Sequence, residues 1–167
     1  MRLVSRSGRE APTGAEAYRA DVSDEKSAIA ACQGAAVVYH TATPDYTQWA
    51  KLYPAIQRGA IAGAAAAGAK LISAESVYMY GAVDGKMTED LPHRATTRKG
   101  RIRAELAQMA LEAHAQGKVR VALGRAPDFY GPEAAVTTIF GDRVFYPALA
   151  GRKVSVMGKL DIPHTFI

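Results

Sequence analysis

The densest cluster of charge in the sequence lies at residues 98–103. It comprises Arg98, Lys99, Arg101 and Arg103. The surrounding pattern predicts a helix from Thr97 to Gln116, so all of these cations fall in its first turns, where the helix dipole disfavours each by about 0.3–1 kcal/mol. This placement favours an anionic partner nearby. The competing interpretation is that the side chains are exposed and screened, or paired with Glu89 and Glu105.

Other polar residues occur where predicted strands end. Arg6, Asp21 and His40 each lie at or just past such an end, and Ser76 follows the predicted strand Lys70–Ala74. His40 is the only titratable residue of its turn, and a single histidine near a strand end more often has a structural role than a catalytic one. Two phenols, those of Tyr78 and Tyr80, lie close to Ser76 in the sequence.

The elements that must position these residues alternate between short apolar runs and longer helical stretches. The predicted strands are Arg2–Arg6, Ala17–Ala20, Ala35–Tyr39, Lys70–Ala74, Val119–Gly124 and Lys153–Met157. The predicted helices are 24–33, Trp49–Ala67, Thr97–Gln116 and Thr137–Leu149, with Gly34, Gly68 and Gly117 as stop signals for the first three. Alternation of this kind predicts an α/β fold with a doubly wound parallel sheet.

Composition narrows the possible classes. The chain has 167 residues, 49% of them hydrophobic, a net charge of +5 and a single cysteine. Its length fits about one domain, and the lone Cys32 excludes an internal disulfide or a multi-cysteine metal site and suits a reducing cytoplasm. We predict no metal site, no signal peptide and no membrane span. The mild positive charge suits ligands that carry phosphate.

Two stretches resemble a known family. Ser76 to Gly81 reads Ser-x-x-x-Tyr-Gly, and Arg125 to Pro132 reads Arg-x-x-x-x-Tyr-Gly-Pro. Together with ADVSD at 20–24 and the strand and turn AAVVYHTATP at 35–44, they resemble the extended short-chain dehydrogenase/reductase family, which includes NAD(P)-dependent sugar epimerases and dehydratases. The resemblance implies a Rossmann-like, NAD(P)-binding fold and covers nearly the whole chain.

The sequence also departs from that family. Members open with a strand and a Gly-x-x-Gly-x-x-Gly turn that holds the cofactor pyrophosphate. Here the first strand resembles the family's second, and no equivalent glycine pattern follows any strand. We therefore expect residues 1–167 to form a partial NAD(P)-binding domain, apparently truncated at both ends, with the start of a substrate lobe at about 133–167. The family's strand order places the missing strand centrally, between the first and third strands seen here.

The resemblance assigns residues to the cofactor. Arg6 matches the position beside the adenosine ribose, where a basic side chain suits the 2′-phosphate and favours NADP over NAD; otherwise it is a solvated arginine in a polar turn. Asp21 and Val22 match the pair beside the adenine, although Asp21 or Ser23 could instead cap the next helix. Thr41 and Ala42 match the small-residue turn that the cofactor approaches closely.

It also assigns the reaction centre. Ser76 matches the family's catalytic serine or threonine, which hydrogen-bonds the substrate oxygen. The tyrosine and lysine that exchange the proton and hold the ribose become Lys99 and Arg103. Arg103 could still bind ribose hydroxyls or phosphate, and Lys99 could transfer a proton only with a strongly depressed pKa. Tyr80 matches a packing position of the family.

Two functions remain open. The first is an NAD(P)-dependent oxidoreductase or epimerase/dehydratase acting on a small polar, possibly sugar-like, substrate. The second is a non-catalytic nucleotide-binding or regulatory protein that has lost the Tyr–Lys pair. A nucleic-acid binder is disfavoured because the basic cluster lacks interleaved aromatics or a known motif. We expect a small-molecule ligand, no nucleic-acid or membrane partner, and a possible homo-oligomer.

Overall fold

The computed structural model describes residues 1–131, 138, 140–156 and 165–166. The strands are β1 (Arg2–Ser5), β2 (Glu16–Arg19), β3 (Val37–His40), β4 (Lys70–Ser76) and β5 (Arg120–Ala126). The helices are α1 (Glu25–Cys32), α2 (Trp49–Ala66), α3 (Arg98–Ala115) and α4 (Phe145–Leu149). Single 3₁₀ turns lie at Tyr46–Gln48 and Val77–Tyr80.

The strands form two separate sheets. β1 pairs with β2 in parallel, from Arg2 opposite Glu16 to Ser5 opposite Arg19. The second sheet has the order β3-β4-β5, with β3 and β4 parallel. Among the described residues, no strand is hydrogen-bonded between β1 and β3. This break falls where the family's strand order places the central strand that we expect to be missing.

Helices α2 and α3 cover one face of the second sheet. Leu71, Ser73 and Glu75 alternate along β4 and are buried on this face. A core of Ala60, Ala64, Leu71, Ala113 and Val119, with Ala69, lies between the helices and the strands. Small residues dominate because α2 approaches the sheet and its neighbouring helices closely.

Helix α1 packs on α2 through two glycines. A Cβ at Gly59 would collide with the Val22 carbonyl oxygen, and one at Gly63 with the Cys32 sulfur. The stretch Gly63 to Gly68 is therefore the closely packed end of a helix and does not replace the family's phosphate-binding glycine turn. Gly68 follows α2 with a φ of 64°, which confirms it as the stop signal.

The predicted elements from Arg2 to Gly124 are confirmed to within one or two residues. The predictions further along are less accurate. The helix predicted from Thr137 to Leu149 begins only at Phe145, and residues 153–156 are not in a strand. Thr137 and Met157 lie outside the described residues.

The chain divides into two compact units, Met1–Gly124 and Arg125–Ile167. Within the second, Tyr130 packs against Phe145 and Phe166 with ring centroids 5.9 Å and 6.5 Å apart. Asp128 forms a parallel bridge with Phe166. The predicted start of the substrate lobe, about 133–167, falls wholly within the range of this unit, and much of it lies outside the described residues.

Candidate active site

An open cleft of about 380 Å³ lies where β1 and β2 end. It is lined by Arg6, Arg19, Ala20, Asp21 and Ser27. Arg6 and Asp21, two residues predicted to contact a cofactor, thus share one cleft. Arg19 was not predicted; its Nε donates to the Arg6 carbonyl oxygen at 3.2 Å and its side chain packs under Gly8. The cleft combines two guanidinium groups with one carboxylate.

The Asp21 carboxylate is oriented by its own turn. Its Oδ1 accepts hydrogen bonds from the Ser23 hydroxyl at 2.6 Å and the Ser23 N–H at 2.9 Å. These bonds, with help from the Arg6 charge, lower the pKa of Asp21. The cap of α1 is Asp24, whose Oδ1 accepts from the Ser27 N–H at 2.8 Å. The alternative in which Asp21 or Ser23 caps this helix is therefore wrong.

Val22, Thr41 and Ala42, also predicted at the cofactor, follow the strands β2 and β3. Val22 is half-buried, and its carbonyl oxygen faces Gly59 of α2. Thr41 and Ala42 are exposed in the loop that follows β3. Their contacts with a cofactor stay a prediction.

Ser76 ends β4 and starts a 3₁₀ turn. Its Oγ accepts from the Tyr78 N–H at 3.4 Å. Tyr80 is 3% exposed and packs with Met79 and Ala107, which agrees with its predicted packing role. The turn is held against α3, because a Cβ at Gly100 would meet the Tyr78 carbonyl oxygen at 2.7 Å. Ser76 and the first turn of α3 are thus brought together.

The basic cluster of α3 divides into two pairs. Arg98 and Arg101 are exposed, as the screening interpretation expects. Lys99 and Arg103, one turn apart, face aromatic rings of the 3₁₀ turn before α2 and of the first turn of α2. Lys99 Nζ lies 3.5 Å from the Tyr46 ring centroid, and Arg103 Cζ lies 4.8 Å from that of Trp49.

Arg103 also takes part in a buried polar network. Its Nη1 donates to Tyr53 Oη at 2.7 Å and to Glu75 Oε2 at 3.2 Å. The side chains of Glu75 and Arg103 are 1% and 11% exposed. Ser73 Oγ donates to Glu75 Oε1 at 3.4 Å. The guanidinium predicted to hold ribose or phosphate is thus already paired with a carboxylate.

His40 lies beside this network. It is 6% exposed, and burial lowers its pKa to about 4. A hydrogen bond with the Gln57 amide opposes that effect, and the Arg103 charge adds to it. The Gln57 interaction is weak, since neither of its buried polar atoms makes a hydrogen bond of good geometry among the described residues. His40 is therefore a neutral, buried group at neutral pH.

Sequence reasoning missed Glu75, Tyr46, Trp49 and Tyr53. A usable signal existed in the spacing of Trp49 and Tyr53, which are four positions apart on a helix, as are Lys99 and Arg103. Two such stripes on neighbouring helices can face each other. Strand alternation also places Glu75 on the same face as Leu71.

Comparison with known families decides the membership of the chain. The model of the NAD dependent epimerase/dehydratase family matches residues 2–163. The chain belongs to this family. Among curated proteins, none matches the sequence significantly.

Solved structures share the fold of this chain. MoeE5 in complex with UDP-glucose and NAD is 24% identical, with a TM-score of 0.63 over 78% of this chain and 47% of its own. The dTDP-glucose 4,6-dehydratase from Bacillus anthracis, in complex with NAD, is 16% identical, with a TM-score of 0.71 over 85% and 47%. A UDP-galactose 4-epimerase is 20% identical, with a TM-score of 0.71 over 92% and 56%.

These similarities confirm the predicted Rossmann-like fold. The chain spans about half the length of the structures it matches. The described part of the chain contains no helix with the length and apolarity that a membrane crossing requires.

The residues present suit one end of a nicotinamide adenine dinucleotide. In the cleft, Arg6 and Arg19 offer donors for a ribose or its 2′-phosphate, and the Asp21 carboxylate offers an acceptor for an amino group. A Gly-x-x-Gly-x-x-Gly turn for the pyrophosphate does not occur in the sequence. The adenosine end therefore fits this chain better than the pyrophosphate does.

Proposed function

We propose that the chain belongs to an NAD(P)-dependent oxidoreductase or epimerase/dehydratase whose substrate is a small polar molecule of the nucleotide-sugar class. The observation that carries the proposal is the cleft in which Arg6 and Asp21 lie together at the ends of parallel strands. Ligands of open α/β sheets bind at the carboxyl ends of the strands. Nucleotide sugars enter the proposal because MoeE5 was solved with UDP-glucose and NAD.

In this proposal each predicted residue keeps its role. Arg6, Asp21, Val22, Thr41 and Ala42 contact the cofactor. Ser76 Oγ hydrogen-bonds the substrate oxygen. Lys99 and Arg103 supply positive charge at the reaction centre, and Arg103 is assigned to the cofactor's ribose or phosphate. The bound cofactor would supply the redox chemistry.

Arg6 supports a preference for NADP over NAD. Arg19 beside it adds a second guanidinium, and two such groups suit a phosphate dianion. MoeE5 and the Bacillus anthracis dehydratase were both solved with NAD, so the NADP preference is a property that we assign to this cleft and not to the family.

The cofactor preference predicts the effect of one substitution. Arg6→Ala is expected to weaken NADPH binding by about 1–3 kcal/mol and to leave NADH binding nearly unchanged, because only the 2′-phosphate loses a charge-assisted hydrogen bond. Calorimetric titration of both cofactors measures this. Arg9→Ala, an exposed arginine of the same turn, is the matched control for lost charge. An equal loss of binding affinity for both cofactors would contradict the NADP assignment.

A second function is favoured by the contacts of Arg103. The family's Tyr–Lys positions are here occupied by Lys99, which packs on Tyr46, and by Arg103, which is paired with Glu75. These contacts suit a scaffold that binds a nucleotide without turnover. Calorimetry with NAD(P) and a steady-state assay with UDP-glucose and dTDP-glucose separate the two functions: binding without turnover supports the second and contradicts the first.

A further inference from the structure

The first turn of α3 presents an ammonium where the resemblance expects a phenol. Lys99 stands at the position that matches the family's proton-transferring tyrosine. A protonated ammonium has no lone pair with which to accept a proton. If the site transfers protons, another group beside Lys99 has to accept them.

A phenol lies directly against Lys99. The Nζ atom is 3.5 Å from the ring centroid of Tyr46, and the Tyr46 ring stacks on Trp49 at 4.7 Å. Tyr46 is nevertheless 54% exposed. The Tyr46 ring is therefore fixed on one side and open on the other.

The Tyr46 hydroxyl is connected to the end of β4. Its Oη lies 3.5 Å from Tyr78 Oη. The Tyr78 N–H in turn donates to Ser76 Oγ. These contacts bring two phenols, an ammonium and the serine that matches the family's catalytic serine to the same edge of the sheet.

We propose that Tyr46 is the proton-transfer group of this site, with Lys99 stabilising its phenolate and Tyr78 donating a hydrogen bond to it. The roles of phenol and ammonium are those of the family's Tyr–Lys pair, but the phenol comes from the 3₁₀ turn before α2 and the ammonium from α3. The inference rests on the proposed function, since it names the acid–base group of that same site.

The proton and electron balance is simple. The O–H bond of a substrate hydroxyl breaks, and its proton goes to Tyr46 Oη, forming the neutral phenol. The hydrogen on the same carbon leaves with its electron pair to the nicotinamide cofactor, which is the oxidant, and the carbon becomes a carbonyl. Ser76 hydrogen-bonds the substrate oxygen, and Lys99 offsets the phenolate charge before transfer.

The first test needs no substrate or cofactor. Tetranitromethane nitrates the phenolate form of tyrosine, and peptide mapping gives a rate for each ring. Tyr39 and Tyr146, which are 71% and 64% exposed, serve as internal standards. We expect Tyr46 to be nitrated faster than both standards although it is less exposed. In Lys99→Met the nitration rate of Tyr46 is expected to fall about tenfold. A Tyr46 rate at or below that of Tyr39, or one unchanged in Lys99→Met, overturns the pairing.

The second test measures turnover of UDP-glucose or dTDP-glucose with NAD(P). Tyr46→Phe is expected to lower kcat by about 10²–10⁴-fold with little change in KM, because it keeps the ring over Lys99 and removes only the hydroxyl. Tyr39→Phe is the control and should keep full activity. Unchanged kcat in Tyr46→Phe overturns the role of Tyr46 even if nitration is selective.

The two tests separate the inference from the proposed function. An inactive wild-type chain whose Tyr46 is nitrated fast, and slowly in Lys99→Met, contradicts the proposed function and leaves the Lys99–Tyr46 pair standing. An active chain in which Tyr46 is not nitrated selectively contradicts the Lys99–Tyr46 pair and leaves the proposed function standing. An unfolding transition of Tyr46→Phe that matches the wild type establishes that any loss of activity is chemical.

Discussion

The two sheets of this chain differ in how deeply they are buried. In β4, every second residue from Leu71 to Glu75 is buried beneath α2 and α3. In β1 and β2 no residue is buried, and Leu3 is 37% exposed. Burial of apolar area is the main source of folding stability. Most of the stability therefore comes from the second sheet and the helices that cover it. The cleft lined by Arg6 and Asp21, by contrast, lies at the end of the thinly covered sheet.

The ion pairs show the same contrast. Arg103 and Glu75 are paired in the interior, whereas Arg2 Nε and Glu16 Oε2, 3.1 Å apart across β1 and β2, have side chains that are 31% and 58% exposed. A buried pair is costly to break, since the charge left behind has no water around it. An exposed pair contributes little. The same chemical contact therefore has different consequences in the two regions.

Removing one partner of each pair gives the largest expected effect. Glu75→Ala is expected to lower the free energy of unfolding by about 3–5 kcal/mol, because Arg103 remains buried without its carboxylate. Urea denaturation measures the change. Glu16→Ala, the matched substitution in the exposed pair, should cost about 0–1 kcal/mol. Equal costs at the two positions would contradict the contrast between the sheets.

The pH dependence of stability is expected to come from His40. Its pKa is about 4 in the folded chain against an ordinary 6.5, so the unfolded chain binds more protons between these values. Stability should thus be fully present above pH 6.5 and fall as the pH drops towards 4, by on the order of 3 kcal/mol in all. His40→Gln should remove most of this slope in urea denaturation followed from pH 7 to 4.5, whereas His114→Gln, an exposed position of α3, should retain it.

The smallest expected effect concerns the strand edges. β3 is an edge strand of its sheet, and it carries Val37 and Tyr39, which are 42% and 71% exposed. Unpaired edges with apolar side chains promote association, so we expect the 167-residue chain to self-associate at high concentration. Sedimentation velocity should show less association for Tyr39→Lys than for Tyr146→Lys, a matched exposed tyrosine of α4. Monomers at every concentration would contradict this.

Much of the fold could be predicted because its signals are local. Gly68 and Gly117 end helices with φ of 64° and 69°. Asp24 and Thr97 cap the helices that follow them, α1 and α3, through their own side chains. The shortened α4 has no such cap: Val144 precedes it without a side-chain hydrogen bond. The predicted start of this helix was wrong because no capping side chain marks it.

The candidate site could be predicted only in part, for a related reason. Arg6, Asp21 and Ser76 lie at a strand end or within two residues of one, so their positions follow from local structure. Glu75 and Arg103 are 28 positions apart, and Tyr46 and Lys99 are 53 apart, so tertiary packing alone brings them together. Resemblance to a family could not supply these pairs, since the family places different residue types at the helix positions.

The central claim is that the cleft at the ends of β1 and β2 binds the adenosine end of a nicotinamide cofactor. The most direct measurement is an NMR titration of the chain with adenosine 2′,5′-bisphosphate, a probe that needs no pyrophosphate turn. The account predicts chemical-shift changes at Arg6, Arg19 and residues 21–27, weakened in Arg6→Ala and retained in Arg9→Ala. Shift changes confined to residues 98–103, or an Arg6→Ala variant that binds as the wild type does, would contradict it.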